Sequence, residues 1–123
     1  MTPPKPPSTP KHKRGDVVLV PFPNSNPQSA KVRPALVVEA DNLNSGLSQL
    51  VIAMISSNLA RANHPSRVLV LTATPEGQQS GLLAGSVVMT DNLATVAVTV
   101  IVRNVGTLPT TEVDVALRHA LGL

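Results

Sequence analysis

Arg33 stands directly before Pro34, between a polar stretch and an apolar run. A guanidinium there projects from a strand end, offers a fixed fork of donors to phosphate oxygens and stays protonated at neutral pH. The competing use is a rim ion pair with Asp or Glu. Ser56 and Ser57 follow the apolar run Gln49–Ile55, where a hydroxyl can hold a phosphate oxygen or bond the nearby backbone. Asp91, before Asn92, can act as a base or shape a turn. The segment Pro23–Val32 carries Asn24, Ser25, Asn26, Gln28 and Ser29, whose amides and hydroxyls suit base edges, and Lys31, which suits a phosphate. At roughly ten residues it is longer than an ordinary hairpin loop, the other use for it. A second polar segment, Asn58–His64, adds Arg61 and His64. His64 reads as a solvated loop residue and His119 as a structural one.

Composition narrows what these groups can do. The 123 residues suffice for one domain. Aromatics make up 1%, all of it Phe22, so base recognition by stacked rings is nearly excluded and the core must be aliphatic. Cysteine is absent, which removes disulfides and thiolate metal sites. The three histidines (His12, His64, His119) are too scattered for a His-rich metal site. The pI of about 10 points to a polyanion partner, but the charge is unevenly placed. Residues 1–14 hold Lys5, Lys11, Lys13 and Arg14 and no acid, a sum of +4; residues 15–123 sum to −1. The folded part is near neutral, so a polyanion would have to be held there by a local site and by hydrogen bonds.

The elements that must position these groups are mostly strands. Residues 1–13 contain five of the twelve prolines and nothing to bury, and are expected to form an extended Pro/Lys arm before a domain over 14–123. Asp16–Phe22, Pro34–Ala40, Gln49–Ile55, Arg67–Thr72, a short Ser86–Met89 and a long Thr95–Arg103 read as strands by run length and β-branched content. Pro109 to Glu112 opens like a helix, with Thr110 or Thr111 as cap, and Gly122 stops it. Val113, Leu117 and Leu121 form its apolar stripe. The expected fold is mainly β, a small curved antiparallel sheet or barrel with a C-terminal helix. No apolar run is long enough for a membrane helix, and the run Val17–Val20 ends in Pro21-Phe22-Pro23, a poor signal-peptide core. A cytoplasmic location is expected.

The residues also carry a resemblance. Lys13 to Pro23 (KRGDVVLVPFP), then Lys31 to Val38 (KVRPALVV), resembles the opening of the MazF/PemK toxin family. Val51 to Ser57 is similar to the family strand ending in Ile-Thr-Ser, and Ser80-Gly81-Leu82 through Ser86-Val87-Val88 to its Gly-Leu…Ser-Val-Val segment. Asp91 to Val96, Val105 to Leu108 and the closing Ala116 to Leu123 follow in the family's order. The likeness spans nearly all of residues 13–123. Each motif alone is weak, and their order and spacing carry the resemblance.

The resemblance implies an SH3-like barrel, a homodimer and a toxin–antitoxin endoribonuclease that cuts single-stranded RNA sequence-specifically, without metal or other cofactor, through a 2′,3′-cyclic phosphate. It implies Arg33 as the group stabilising the transition state, Ser56 in place of the family's phosphate-binding Thr, and Asp91 as the base some members are proposed to use. Asn24, Asn26, Gln28, Ser29, Lys31, Ser57 and Arg61 then become RNA contacts. The implied partners are a cognate antitoxin, whose acidic tail covers the RNA groove, and operator DNA bound by the toxin–antitoxin complex; no membrane is involved. Three departures stand out. Ala97-Val98-Thr99 is apolar where the family usually breaks the segment with polar turn residues, so either the turn survives with an exposed Val98 or two strands merge into one bent strand. Met89 and Ala94 occupy places where many or some members carry a basic residue. They favour a second reading, a non-catalytic member acting as a protein-binding growth inhibitor or inactive antitoxin-binding regulator. A third, an SH3-like adaptor for Pro-rich peptides, lacks the aromatic groove that mode needs.

Overall fold

A computed structural model describes residues 12–21 and 31–123. The expected loop residues Asn24, Asn26, Gln28 and Ser29, and most of the expected arm, lie outside the described residues. Six strands form one antiparallel sheet: β1 (Asp16–Pro21), β2 (Val32–Val37), β3 (Gln49–Ser56), β4 (Arg67–Val70), β5 (Ser86–Ala97) and β6 (Arg103–Thr107). Their order across the sheet is β4-β5-β3-β2-β1-β6. Two helices complete the fold, α1 (Pro75–Ser80) and α2 (Thr111–Leu121).

Both faces of the sheet are covered, which is why the strands read as continuous apolar runs rather than alternating ones. Val17, Leu36, Ala53, Ile55, Val70 and Val88 form the core beneath α2, joined by Leu108 and Val113. On the opposite face Val18, Val20, Ala35, Val37, Ile52 and Met54 form a second core, packed by Leu50, Ala94, Val96 and Ile101.

The sheet is curled. Helix α1 follows edge strand β4, yet it packs against β6 at the other edge. Gly81 caps α1 in the left-handed region (φ 71°), and a Cβ there would strike the carbonyl of Val105. Gly106 faces the backbone of Ser80 as closely. Only side chains without a Cβ allow this approach.

Three expectations change. The strand expected over Thr95–Arg103 is broken: β5 runs on to Ala97, a 3-10 turn covers Val98–Val100, and β6 begins at Arg103. Tertiary pairing overrides the local β preference. The chain leaves β3 as a neighbour and reaches β1, where the Val102 N–H donates to the Leu19 carbonyl at 2.8 Å. The apolar residues there serve the second core, which Ile101 covers. The short strand Ser86–Met89 is likewise part of a longer one. Between Met54↔Met89 and Ala53↔Leu93, residues Thr90, Asp91 and Asn92 bulge out of register. The bulge is held by Thr90, whose N–H and hydroxyl both donate to the Ser66 carbonyl, at 3.1 and 2.6 Å. Helix α1 was not expected, although Thr74 caps it, Pro75 opens it and Gly81 ends it.

Helix α2 follows the expected span and ends at Gly122 (φ 71°), with Leu123 N–H donating to the Arg118 carbonyl. Thr110 is the capping residue by position, without a side-chain bond. Val113 and Ala116 are buried, whereas Leu121 of the expected stripe is 56% exposed because the helix overruns the sheet. At the other terminus His12 and Lys13, expected in the arm, touch the fold. His12 is buried with Nδ1 2.7 Å from Asn104 Oδ1, and the Lys13 N–H donates to Asp16. Arg14, counted with the basic arm, is committed internally: Nη2 meets Asp114 at 2.6 Å and Nε donates to the Val38 carbonyl at 3.0 Å.

Candidate functional site

Arg33 and Ser56 are related through strand register. Val37 pairs with Ile52, Leu36 with Ala53 and Ala35 with Met54. The paired residues end there; the same register carried two residues further would set Arg33 opposite Ser56. Alternation along each strand places both on the face of the second core, since Ala35, Val37, Ile52 and Met54 belong to it. Pro34, the next residue of β2, pairs with Leu19 of β1 on the other side. Arg33 is exposed and Ser56 half-buried, at the rim where the apolar floor ends.

The Ser56 oxygen accepts the Asn58 N–H at 3.1 Å. Its own proton stays available for an acceptor. Asn58 in turn caps a 3-10 turn, Leu59–Ala62, by accepting the Ala60 N–H at 3.1 Å. That turn carries Arg61. The polar segment expected over Asn58–His64 is therefore an ordered turn whose first capping link is Ser56.

Ser56 itself pairs with Val87 of β5, and the neighbouring row on the same face runs from Ala35 through Met54 into β5 and β4. Met54 pairs with Met89, and Met89 with Arg67. Met89 is buried, and the Arg61 Nη1 lies 3.7 Å from its sulfur. Arg67 donates through Nε and Nη2 to the two Asp91 oxygens, at 2.8 and 2.7 Å, and through Nη1 to the Arg61 carbonyl at 2.8 Å. These two-pronged bonds hold the Asp91 carboxyl below the ordinary carboxylate range and raise Arg67 in return. A carboxylate so held is a weaker proton acceptor, which argues against the base role expected for Asp91.

The remaining expected residues fall around this row. Lys31 is exposed at the entry to β2. Ser57 is exposed and follows Ser56 just beyond the end of β3. Ala94 lies opposite Ile52 and packs on the second core. His64 Nδ1 accepts the Ser66 N–H at 3.1 Å and lies 2.6 Å from its hydroxyl, and the His64 and His119 rings meet edge to face at 6.0 Å. Both act as loop and helix-end supports here. The link of Arg67 to Asp91, twenty-four residues away, has no signal in sequence spacing. Among the described residues no group of three or more His, Asp or Glu is placed to hold a metal ion. No helix among them is long and apolar enough to cross a membrane.

Residues 13–121 match the family described as PemK-like, MazF-like toxin of type II toxin-antitoxin system. The chain belongs to this toxin family. Endoribonuclease MazF6 of Mycobacterium tuberculosis is 36% identical over 105 residues, covering 82% of this chain and 88% of the relative. Solved MazF structures share the fold. A mycobacterial endoribonuclease in complex with its cognate antitoxin superposes with a TM-score of 0.69 at 22% identity, over 91% of this chain and 96% of that one. MazE–MazF from Deinococcus radiodurans gives 0.68 at 17% identity, over 92% and 98%. The MazF-like fold thus accounts for the curled sheet, the closing helix and the strand ends that carry Arg33 and Ser56. Among the described residues the sheet is open, with β4 and β6 as its two edges, a half-barrel that bears out the small curved sheet or barrel expected, with its C-terminal helix.

Proposed function

We propose that this MazF-like toxin cleaves single-stranded RNA and that Arg33 and Ser56 form the reacting centre. The observation that carries the reading is their register-set placement on one sheet face. In the proposed step a ribose 2′-hydroxyl gives its proton to water as its oxygen bonds the adjacent phosphorus, the P–O5′ bond breaks, and the leaving 5′-oxygen takes a proton from water. The products are a 2′,3′-cyclic phosphate and a 5′-hydroxyl. Arg33 holds the charge that builds on the phosphorane oxygens, and the Ser56 hydroxyl donates to one of them. Asp91 serves through Arg67, as a positioning residue. Lys31, Ser57 and Arg61, with Asn24, Asn26, Gln28 and Ser29, contact the RNA around this centre. The chain acts in the cytoplasm as a homodimer and is silenced by a cognate antitoxin, the complex binding operator DNA. The antitoxin-bound relatives support that partner.

Mapping of RNA ends after incubation with the purified chain tests the reading. New 5′-hydroxyl ends from wild type, absent with Arg33→Ala, are expected. A wild-type chain that makes no such ends on long single-stranded RNA, yet arrests growth, would establish the non-catalytic reading. The buried, uncharged Met89 within the site is the observation that keeps that second reading in play.

A further inference from the structure

Three guanidinium groups occupy the Arg33 face and its border, and their surroundings divide their roles. Arg67 is committed internally: it is bonded to both Asp91 oxygens and to the Arg61 carbonyl. Arg61 differs. It is exposed, it has no carboxylate among its described partners, and its Nη1 lies on the Met89 sulfur, a weak acceptor. A guanidinium laid on a thioether keeps most of its donors for an external acceptor. Its backbone is fixed at both ends, by Asn58 capping the turn and by Arg67 gripping the Arg61 carbonyl. The geometry is that of a cation aimed by the protein but not neutralised by it.

Met89 lies on β5 and Arg33 on β2, with β3 between them. Two strand spacings and the two-residue offset between their rows separate their backbones by roughly 12 Å. One phosphate cannot span that gap, whereas a single RNA strand crossing the face presents a second. Resting on the endoribonuclease reading above, we infer that Arg61, seated on Met89, binds a non-scissile phosphate of the same RNA strand. The Asp91–Arg67 pair is the positioning device that holds the Arg61 turn at that distance. The site thus has a second cation delivered by a turn above the sheet, over a strand position that itself supplies only an apolar seat.

Salt dependence of RNA binding tests this in the Arg33→Ala background, which leaves the probe uncut. The probe is a mixed-sequence single-stranded RNA, and thermal unfolding is followed in parallel. Loss of one phosphate contact lowers the slope of log K against log salt by about 0.7 for a single strand. Arg61→Ala is expected to show that loss at unchanged thermal stability, and Arg61→Lys to retain the slope. Arg61→Ala combined with Met89→Arg is expected to recover it, because the new guanidinium rises from the seat of the old one. An unchanged slope in Arg61→Ala, with binding intact, overturns this inference alone. Absence of salt-dependent binding by the Arg33→Ala parent, together with no cleavage by wild type, overturns the RNA reading and this inference with it.

Discussion

Arg67 grips both carboxylate oxygens of Asp91, at 2.8 and 2.7 Å, from the first residue of β4 to the bulge of β5. The bonds favour the ionised carboxyl, so its pKa in the folded chain lies below the unfolded value. The stabilisation is therefore present above the unfolded carboxylate pKa and is lost as pH falls through the folded one. The difference in Tm between wild type and Asp91→Asn should be constant from pH 8 to about 5 and shrink below about 4. With both side chains partly exposed, the plateau difference should be only about 2–5 °C. A difference that instead grows on acidification would contradict the pairing.

Asp91 also separates two catalytic schemes. As a positioning residue, its replacement by Asn should lower cleavage without changing the shape of the pH–rate profile. Loss of an acidic limb in Asp91→Asn would restore it as the base.

Arg33 projects from an exposed strand end, so its removal should spare the fold. Arg33→Ala should lower the cleavage rate about 10²–10³-fold, the scale of losing one donor to a developing charge. Its unfolding free energy should stay within about 0.5 kcal/mol of wild type by denaturant titration.

Ser56 has two tasks, and two substitutions divide them. Ser56→Ala removes the acceptor for the Asn58 N–H and the proposed phosphate donor together. Cleavage should fall about 10- to 100-fold. Ser56→Thr keeps the hydroxyl and narrows its rotamers, so its rate should equal or exceed wild type in initial-rate assays.

Arg14 looks in sequence like part of a basic, anion-seeking arm, but it clamps β1 to α2 through Asp114 and to the Val38 carbonyl. Arg14→Ala should cost about 1–2 kcal/mol of stability in chemical denaturation and leave the salt slope of RNA binding unchanged.

The sequence's local signals found what local physics decides. Apolar, β-branched runs marked β1 to β4 to within a few residues, and Gly122 marked the end of α2. The helix α1 had its punctuation in view, Thr74, Pro75 and Gly81, but a single turn has no apolar period to announce it. At Val98 the resemblance leaves a surviving turn and a merged strand both open, because the residues there are apolar; the turn survives, and its neighbours Val96 and Ile101 cover the second core. For the site, the family resemblance singled out Arg33 and Ser56, whereas their placement on one face comes from the β2–β3 register. The seating of Arg61 on Met89 and the capture of Asp91 by Arg67 depend on strands brought together across long stretches of chain. No spacing rule in one dimension carries that information.

The topology has a consequence for timing. Strand β1 is made first, yet one of its two neighbours is β6, and Arg14 waits for Asp114 on the last helix. Pairings between such distant stretches make folding slow. The sheet edge nearest β2, and with it the footing of Arg33, is completed only when the final strand and helix have been synthesised. A nascent chain that stalls before residue 103 carries the arginine without the β6 half of its support, so the capacity to harm arises late in the making of each molecule.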